Sequence, residues 1–459
     1  MNATEVITSD IVILGGSSAG STAAITARRH YPGKRILLVR REARIPIPCG
    51  IPYIFGTLGC PEKDLRPDAG LQQHGVELLV GEVTRIDRAR RRLLLTGKTL
   101  QYERLILATG SEPILPAISG INLDGVFPVI RELDYLRNLQ ARLQTARNIV
   151  VIGGGFIGVE LADEINKIGG KNVTILELTA NCLSLSFDSE FCVEVEEVLR
   201  KRSVTVRTAA KVLRIVGAER VQAVQMADGA ELPADLVILG LGTKARVDLA
   251  RDAGLEIGPT GGIVVDGAMR TDDAAIFACG DCAEKISFFD GRPSPLKLAS
   301  LAQFEARLAG ANLFVLTRTS LGTVGVWSTV VGGLALGAAG LTETMANARG
   351  YTVACGLFET PDHHPGAMPG ATPLKVKLVF DRRSRVLLGG QVRGGPSTGE
   401  MINTIAALVQ KRMTADAIAM FQVGTHPALT PSPSQYPLVN AAELALQAVS
   451  VAQPPRKMA

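Results

Sequence analysis

NIVVIGGGFIGVELADEINKIGG, residues 148–170, reads as a strand, a turn and a helix in that order. The apolar run IVVI suits a strand buried on both faces. Gly153, Gly155 and Gly158 then complete a G-x-G-x-x-G, and apolar residues recur behind it at helical spacing. The first glycine permits a tight turn, the second lets backbone approach a pyrophosphate, and the third lets helix and strand pack closely. Phosphates there face a helix N-terminus, whose N–H groups and dipole favour anions. Glu177 ends the next strand, VTILE, 19 residues past Gly158. A carboxylate at that place accepts from a ribose 2′-hydroxyl and repels a 2′-phosphate, which argues for NADH over NADPH.

The same design occurs once upstream. IVILGGSSAGSTAAITARRH, residues 11–30, is again strand, glycine turn and helix, with Gly15 and Gly153 standing 138 residues apart. This copy is weaker: Ser17 takes the place of the middle glycine, in Gly15-Gly16-Ser17-Ser18-Ala19-Gly20. The next strand, RILLV, runs into Arg40 and Arg41, and the first acid is Glu42. The two copies form a large internal duplication of a nucleotide-binding unit. Each is followed by a strand with a glycine-marked end: YERLILATGSEP (102–113, with Ala108, Thr109 and Gly110) and ADLVILGLGTKA (234–245, with Gly240 and Gly242). TDDAAIFACGDCAE (271–284) is another such strand end, carrying Gly280 and Asp281. From about 320 the texture changes to strand-like alternation (LKVKLVFD, RVLLGGQV), then a helical run, MINTIAALVQKRM, and the proline-rich THPALTPSPSQYP.

With 459 residues, the chain is long enough for two or three cores. Apolar residues make up 46% and charged ones 20%, as in a globular protein. Aromatics at 4%, a net charge of +5 and short, scattered basic clusters argue against nucleic acid as a partner. GTVGVWSTVVGGLALGAAGL, 322–341, lacks charge, but its six glycines break it into strand–turn–strand rather than a membrane helix. The start, MNATEVITSD, shows no basic region followed by an apolar one, and the seven cysteines show no paired framework. A reduced, cytoplasmic compartment is expected, where a special thiol is catalytic rather than structural.

Two nucleotide sites with ATG at 108–110 and GD at 280–281 make the chain resemble, over essentially its whole length, the two-dinucleotide flavoproteins called pyridine nucleotide-disulfide oxidoreductases. The resemblance implies an α/β fold with two Rossmann-like dinucleotide-binding domains and a C-terminal α+β dimerisation domain. It divides the chain into 1–118 with 252–320 for FAD, 119–251 for NAD(P)H, and 321–459 for the interface of a homodimer. FAD would lie on Gly15, Ser17, Ser18, Ala19 and Gly20, near Arg40, Arg41 and Glu42. Ala108, Thr109 and Gly110 would border it, and Gly280-Asp281 would hold the ribityl chain. Leu298, Ala299 and Ser300 would begin the helix that faces the flavin pyrimidine oxygen. NADH would lie on Gly153, Gly155, Phe156, Ile157 and Gly158, with Gly240 and Gly242. Phe156 would cover the nicotinamide pocket, and Glu160 would approach the nicotinamide and the flavin. Cys279 and Cys282 make a lone C-x-x-C around the GD, with no second pair, and are read as packing residues; no metal is expected.

The redox thiol is expected in IPIPCGIPY, residues 45–53, where prolines and a glycine hold Cys49 stiffly. Well-known family members pair two cysteines five positions apart; here the second position is Ile54. The segment instead resembles the single-cysteine branch of coenzyme A-disulfide reductases, NADH-dependent persulfide and polysulfide reductases, and NADH oxidases. That branch implies a cysteine beside the flavin that handles a small sulfur substrate. Ser18 stands where peroxide-reducing relatives carry a histidine. Arg29 matches an arginine used for coenzyme A, but Ile45 and Pro48 replace the polar residues that accompany it. For the proton, the resemblance points to the C-terminal domain: His364 in PDHHPGAMPG, His426 in GTHPALTP, and Tyr436. The alternatives are oxygen or coenzyme A disulfide as the acceptor, an electron-transfer protein as the acceptor, and a sensor without rapid turnover.

Overall fold

The computed structural model describes residues 5–450. Its chain forms two compact units. One takes residues up to 147 with 215–222 and 235–323; the other takes 148–214, 223–234 and the chain from 324. Residues 119–251 thus contribute to both.

The first unit is built on Glu5–Leu14, which is paired in parallel on both edges. Ile13 lies opposite Leu38 of Ile36–Arg40 on one side and Ile106 of Lys98–Leu107 on the other. Glu77–Val80 and Ile276–Ala278 add further parallel pairings, while Val83–Asp87 and Arg92–Leu95 continue the sheet antiparallel. Alternate side chains serve two cores, as a strand's period of two dictates. Ile11, Ile13, Ile36 and Leu38 face one core; Val12, Leu14, Leu37 and Val39 face the other. The first core is closed by helices Ser18–His30 and Ala299–Ala311. Their seam is made of Ala23, Ala27, Ala306 and Ala309, and a Cβ on Gly310 would stand 2.6 Å from the Ala23 carbonyl oxygen. Small residues therefore let the backbones close together under the cofactor loops.

The second unit contains parallel strands Asn148–Ile152, Asn172–Leu176 and Thr205–Arg207, with helices Phe156–Asn166 and Ser189–Lys201. It also holds an antiparallel sheet of five strands: Val326–Val331, Leu334–Gly340, Leu387–Gly394, Pro373–Asp381 and Val353–Pro361, in spatial order. Helices Thr398–Gln410 and Pro437–Ser450 accompany that sheet. The strand–turn–strand reading of 322–341 holds. Val331 pairs with Leu334 across Gly332 and Gly333, at φ 57° and 92°. A two-residue turn of the primed kind needs positive φ at both places. No helix among the described residues is long and apolar enough to cross a membrane.

Candidate active site

The first glycine turn is compact for a steric reason. Gly15 has φ 121°, and a Cβ there would stand 2.1 Å from the Ala108 carbonyl oxygen. A Cβ on Gly20 would stand 1.8 Å from the Gly15 carbonyl oxygen. Ser17 caps the helix in extended backbone, so Ser18, Ala19 and Gly20 form its first turn. Arg66 donates to the Ser18 hydroxyl at 3.0 Å, and its Nε is buried without a partner. An orphaned guanidinium N–H beside a helix N-terminus suits a phosphate. The residues present therefore fit the diphosphate of FAD. Arg66 has no motif around it and was not among the residues expected there.

The strand-end charges are arranged differently from a ribose site. Arg40 turns inward, grips Asp68 with two bonds of 2.5 and 2.6 Å, and donates to the Ala43 carbonyl. Arg41 pairs with Glu42 at 2.8 Å and with Glu132 at 3.1 Å.

Asp281 is half-buried at the strand end and accepts from the Ser111 hydroxyl at 2.7 Å. Arg131 donates to the Ser111 carbonyl at 2.6 Å. Burial lowers the pKa of this guanidinium, while Asp281, Glu42 and Cys49 act in the opposite direction. Thr109 spends its hydroxyl on the Arg246 carbonyl at 2.7 Å, and Gly110 holds φ 72°. Leu298 caps the helix that starts at Ala299 and Ser300. Cys279 and Cys282 are buried thiols, and burial raises the pKa of both. Cys282 Sγ donates to Leu107 and Cys279 carbonyls at 3.4 and 3.3 Å, as a packing residue does. No metal-ligating cluster exists among the described residues.

In the second unit Gly153 has φ 105°, and a Cβ on Gly158 would stand 1.9 Å from the Gly153 carbonyl oxygen. A Cβ on Gly155 would meet nothing within 4 Å, leaving open space above the helix cap. That is room for a pyrophosphate, so the loop fits a dinucleotide. Glu177 is fixed at the strand end: it accepts from Gly154 N at 2.6 Å and from Thr179 N at 2.7 Å. Ile157 follows on the helix, and Phe156 stacks at a tilt on Phe187, with ring centroids 6.0 Å apart. Gly240 and Gly242 belong to the first unit, with Gly242 at φ 81°.

Burial pushes Glu160 up to about 7, opposed by a 2.6 Å hydrogen bond from the Thr329 hydroxyl. Thr329 lies on Val326–Val331, a strand of the antiparallel sheet. The bond favours the ionised carboxylate, so its loss raises the pKa further. Thr329→Val should move the Glu160 limb of a pH profile upward by about one unit. Titrating NADH affinity from pH 5 to 9 in both proteins reads it.

Cys49 is exposed on the one-turn 3-10 helix Pro48–Gly50. Gly50 N donates to Ile47 O at 2.9 Å, and Ile47 N donates to Asp64 O at 2.8 Å. The thiol thus rides on a turn strapped to a neighbouring segment, with buried Ile54 five positions on. Arg131 is electrostatically coupled to it. Arg29 is exposed at the last turn of helix Ser18–His30.

The structure brings the two histidine segments of the C-terminal half together. His364 N donates to Pro427 O at 3.0 Å, and His364 Nδ1 lies 2.8 Å from Thr430 O. A carbonyl partner makes Nδ1 the donor and leaves Nε2 as acceptor in the neutral ring. His426 is exposed, and its Nδ1 accepts from Ala428 N at 3.2 Å. Tyr436 is half-buried, and burial raises its pKa. His363, not singled out in the sequence, has the strongest orienting partner. Its Nδ1 lies 2.7 Å from Asp362, which is itself held by Thr372 N and hydroxyl at 2.7 and 2.6 Å. The adjacent Asp-His pair was the available signal.

Residues 9–306 match the family model described as pyridine nucleotide-disulphide oxidoreductase, and residues 326–436 match that family's dimerisation domain. The chain is similar to the NAD(P)H coenzyme A polysulfide/persulfide reductase of Pyrococcus horikoshii, at 33% identity over 415 residues, covering 89% of this chain and 92% of that one. It is similar to the NADH oxidase of Methanocaldococcus jannaschii, at 28% identity, covering 96% and 99% of the two chains. Among solved structures, a NAD-dependent persulfide reductase from A. fulgidus superposes with a TM-score of 0.89 at 29% identity, covering 95% of this chain and 83% of that one. The two glycine turns and these matches together identify the chain as belonging to the pyridine nucleotide-disulphide oxidoreductases.

Proposed function

We propose that the protein is an NADH-dependent flavoprotein that reduces a small persulfide, polysulfide or disulfide at the single thiol Cys49. The observation that carries this reading is Cys49 itself. It is exposed on a proline-locked turn, coupled to the half-buried guanidinium of Arg131, with an isoleucine where a second cysteine would stand. A cation beside a thiol favours the thiolate, which is the attacking form. With Ile54 in place of a second cysteine, Cys49 takes its second sulfur from the substrate: Cys49–S⁻ plus R–S–SH gives Cys49–S–SH and R–S⁻. FAD, when bound, supplies the electron pair that NADH delivers. The first unit holds FAD on the Gly15–Gly20 turn, with Asp281 and Ser111 at the ribityl chain. The Gly153–Gly158 turn and Glu177 hold NADH. Arg29, exposed and basic, is available to an anionic part of the substrate.

The three segments drawn from the sequence remain the functional division: 1–118 with 252–320, 119–251, and 321–459. The last makes a homodimer, and the enzyme works in the cytoplasm. His363 oriented by Asp362, together with His364, His426 and Tyr436, supplies proton-transfer groups on that third segment. Anaerobic NADH oxidation with a small persulfide, set against aerobic oxidation without one, tests the reading. The persulfide kcat/KM should exceed that for oxygen by tenfold or more, a barrier difference of at least about 1.4 kcal/mol. The reverse ratio would make the enzyme an NADH oxidase.

A further inference from the structure

Asp64 is a buried carboxyl that no step above uses. It is 3% exposed, and its Oδ2 has no partner. It lies against the redox turn so closely that a Cβ on Gly50 would stand 1.8 Å from Asp64 Oδ1. Gly50 is therefore glycine because the carboxyl occupies the space a side chain would need. The contact is held on both sides of Asp64. Ile47 N donates to Asp64 O, Arg66 N donates to Ile45 O, and Pro46 bridges Leu65.

We propose that Asp64 is a positioning residue which shares one proton with Cys49: when the thiol gives up its proton, Asp64 holds it beneath the turn. The inference rests on Cys49 being the reacting thiol.

The physical reason is that two negative charges cannot both be stable there. An ionised Asp64 would be buried one residue from the thiolate. Burial alone raises its pKa, to about 6, with no charged neighbour contributing. Glu62 and Lys63 share its 3-10 turn, and Glu62 is turned to Arg137 at 2.6 Å. Arg66, on the following segment, is committed to Ser18. The charge that reaches Cys49 from elsewhere is Arg131, itself balanced by Asp281 and Glu42 and opposed by Arg246. The carboxyl thus lies against the residue next to Cys49 without a cation of its own, and one proton serves both.

The balance closes. Cys49–S⁻ with Asp64–COOH and R–S–SH gives Cys49–S–SH, Asp64–COO⁻ and R–SH. The attack consumes the thiolate charge, so Asp64 ionises and its proton neutralises the leaving thiolate. Regeneration takes the electron pair from NADH and two protons. It releases hydrogen sulfide and restores both Cys49–S⁻ and Asp64–COOH.

The test is the pH dependence of Cys49 alkylation by iodoacetamide in the FAD-loaded enzyme, followed on the Cys49 peptide by mass spectrometry. Asp64→Asn removes the competing charge and keeps the shape. Its alkylation midpoint should fall by about one unit, with about tenfold faster labelling near pH 6. An unchanged or higher midpoint would overturn the proposal. Wild-type enzyme gives a second reading that needs no variant: its profile should require two coupled ionisations, and a single ionisation would equally overturn it. Neither measurement depends on sulfur turnover. Failure of persulfide reduction would therefore refute the function while leaving this coupling to be judged by itself.

Discussion

Cys49→Ser should lose persulfide reduction by about a thousandfold or more, while NADH still reduces the bound flavin at the wild-type rate. The argument is chemical and then structural. A serine hydroxyl forms no sulfur–sulfur bond, and near neutral pH it is not ionised, so both attack and electron acceptance at position 49 disappear. The turn should survive the change. Its geometry comes from Pro48, the Gly50–Ile47 hydrogen bond and the strap through Ile47 and Asp64, none of which uses the sulfur. The glycine turn of Gly15–Gly20 and the Asp281–Ser111 contact are untouched, so FAD content should match wild type. Stopped-flow mixing with NADH under nitrogen separates the two half-reactions, and steady-state assays with a persulfide and with oxygen complete the comparison. A persulfide rate that survives the substitution would remove the thiol from the mechanism and leave the flavin as direct donor.

The parts of this site that were legible in the sequence are those where backbone sterics leave one residue type. Gly15, Gly20 and Gly158 are dictated by carbonyl oxygens about where a Cβ would fall, and Gly153 by its φ of 105°, and such a rule is written into spacing. Gly155 is legible for the opposite reason, open space above a helix cap. Charged side chains obey no such local rule. Arg40 stands at the end of the right strand, yet it turns inward because Asp68, 28 residues away, offers a two-bond partner. Arg66 and Arg131 lie in segments without periodicity, and only the folded chain sets one at Ser18 and the other at Ser111, within electrostatic reach of Cys49. His364 meets Thr430 across 66 residues, a pairing that a proline-rich loop does not announce. Asp64 was hidden most completely. Its neighbours Glu62 and Lys63 make it look like part of an exposed charged turn, whereas the fold buries it against Gly50.

Lys285→Met should be among the most destabilising single changes in the first unit, by about 3–5 kcal/mol. Lys285 and Glu305 side chains are each 2% exposed and lie 2.9 Å apart. The ammonium has no donor to spare: it also bonds the Gly280 carbonyl at 2.5 Å and the Ala283 carbonyl at 2.9 Å. Glu305 in turn accepts from Gly280 N at 2.8 Å. The pair therefore clamps both polar groups of Gly280, which sits at φ 78° directly before Asp281. Removing the lysine leaves the Glu305 carboxyl in a dry site with no counter-charge and takes the donor from the Ala283 carbonyl, while Gly280 O keeps only the Ala283 N–H; this costs far more than the pair itself contributes. Burial already raises the Glu305 pKa, opposed by Lys285, so loss of the lysine should leave it protonated. The expected readouts are a Tm lower by roughly 10 °C and weaker FAD retention on gel filtration, because the Asp281 turn is no longer clamped. Glu305→Gln should be milder, since an amide oxygen can still accept from Gly280 N and Lys285 keeps its two carbonyls. The double variant Lys285→Met with Glu305→Leu should recover part of the loss, because it removes the buried carboxyl and strands only the Gly280 N–H and the Ala283 carbonyl. A single Lys285→Met variant with wild-type Tm and FAD content would show that the clamp is dispensable and that the strand end alone positions Asp281.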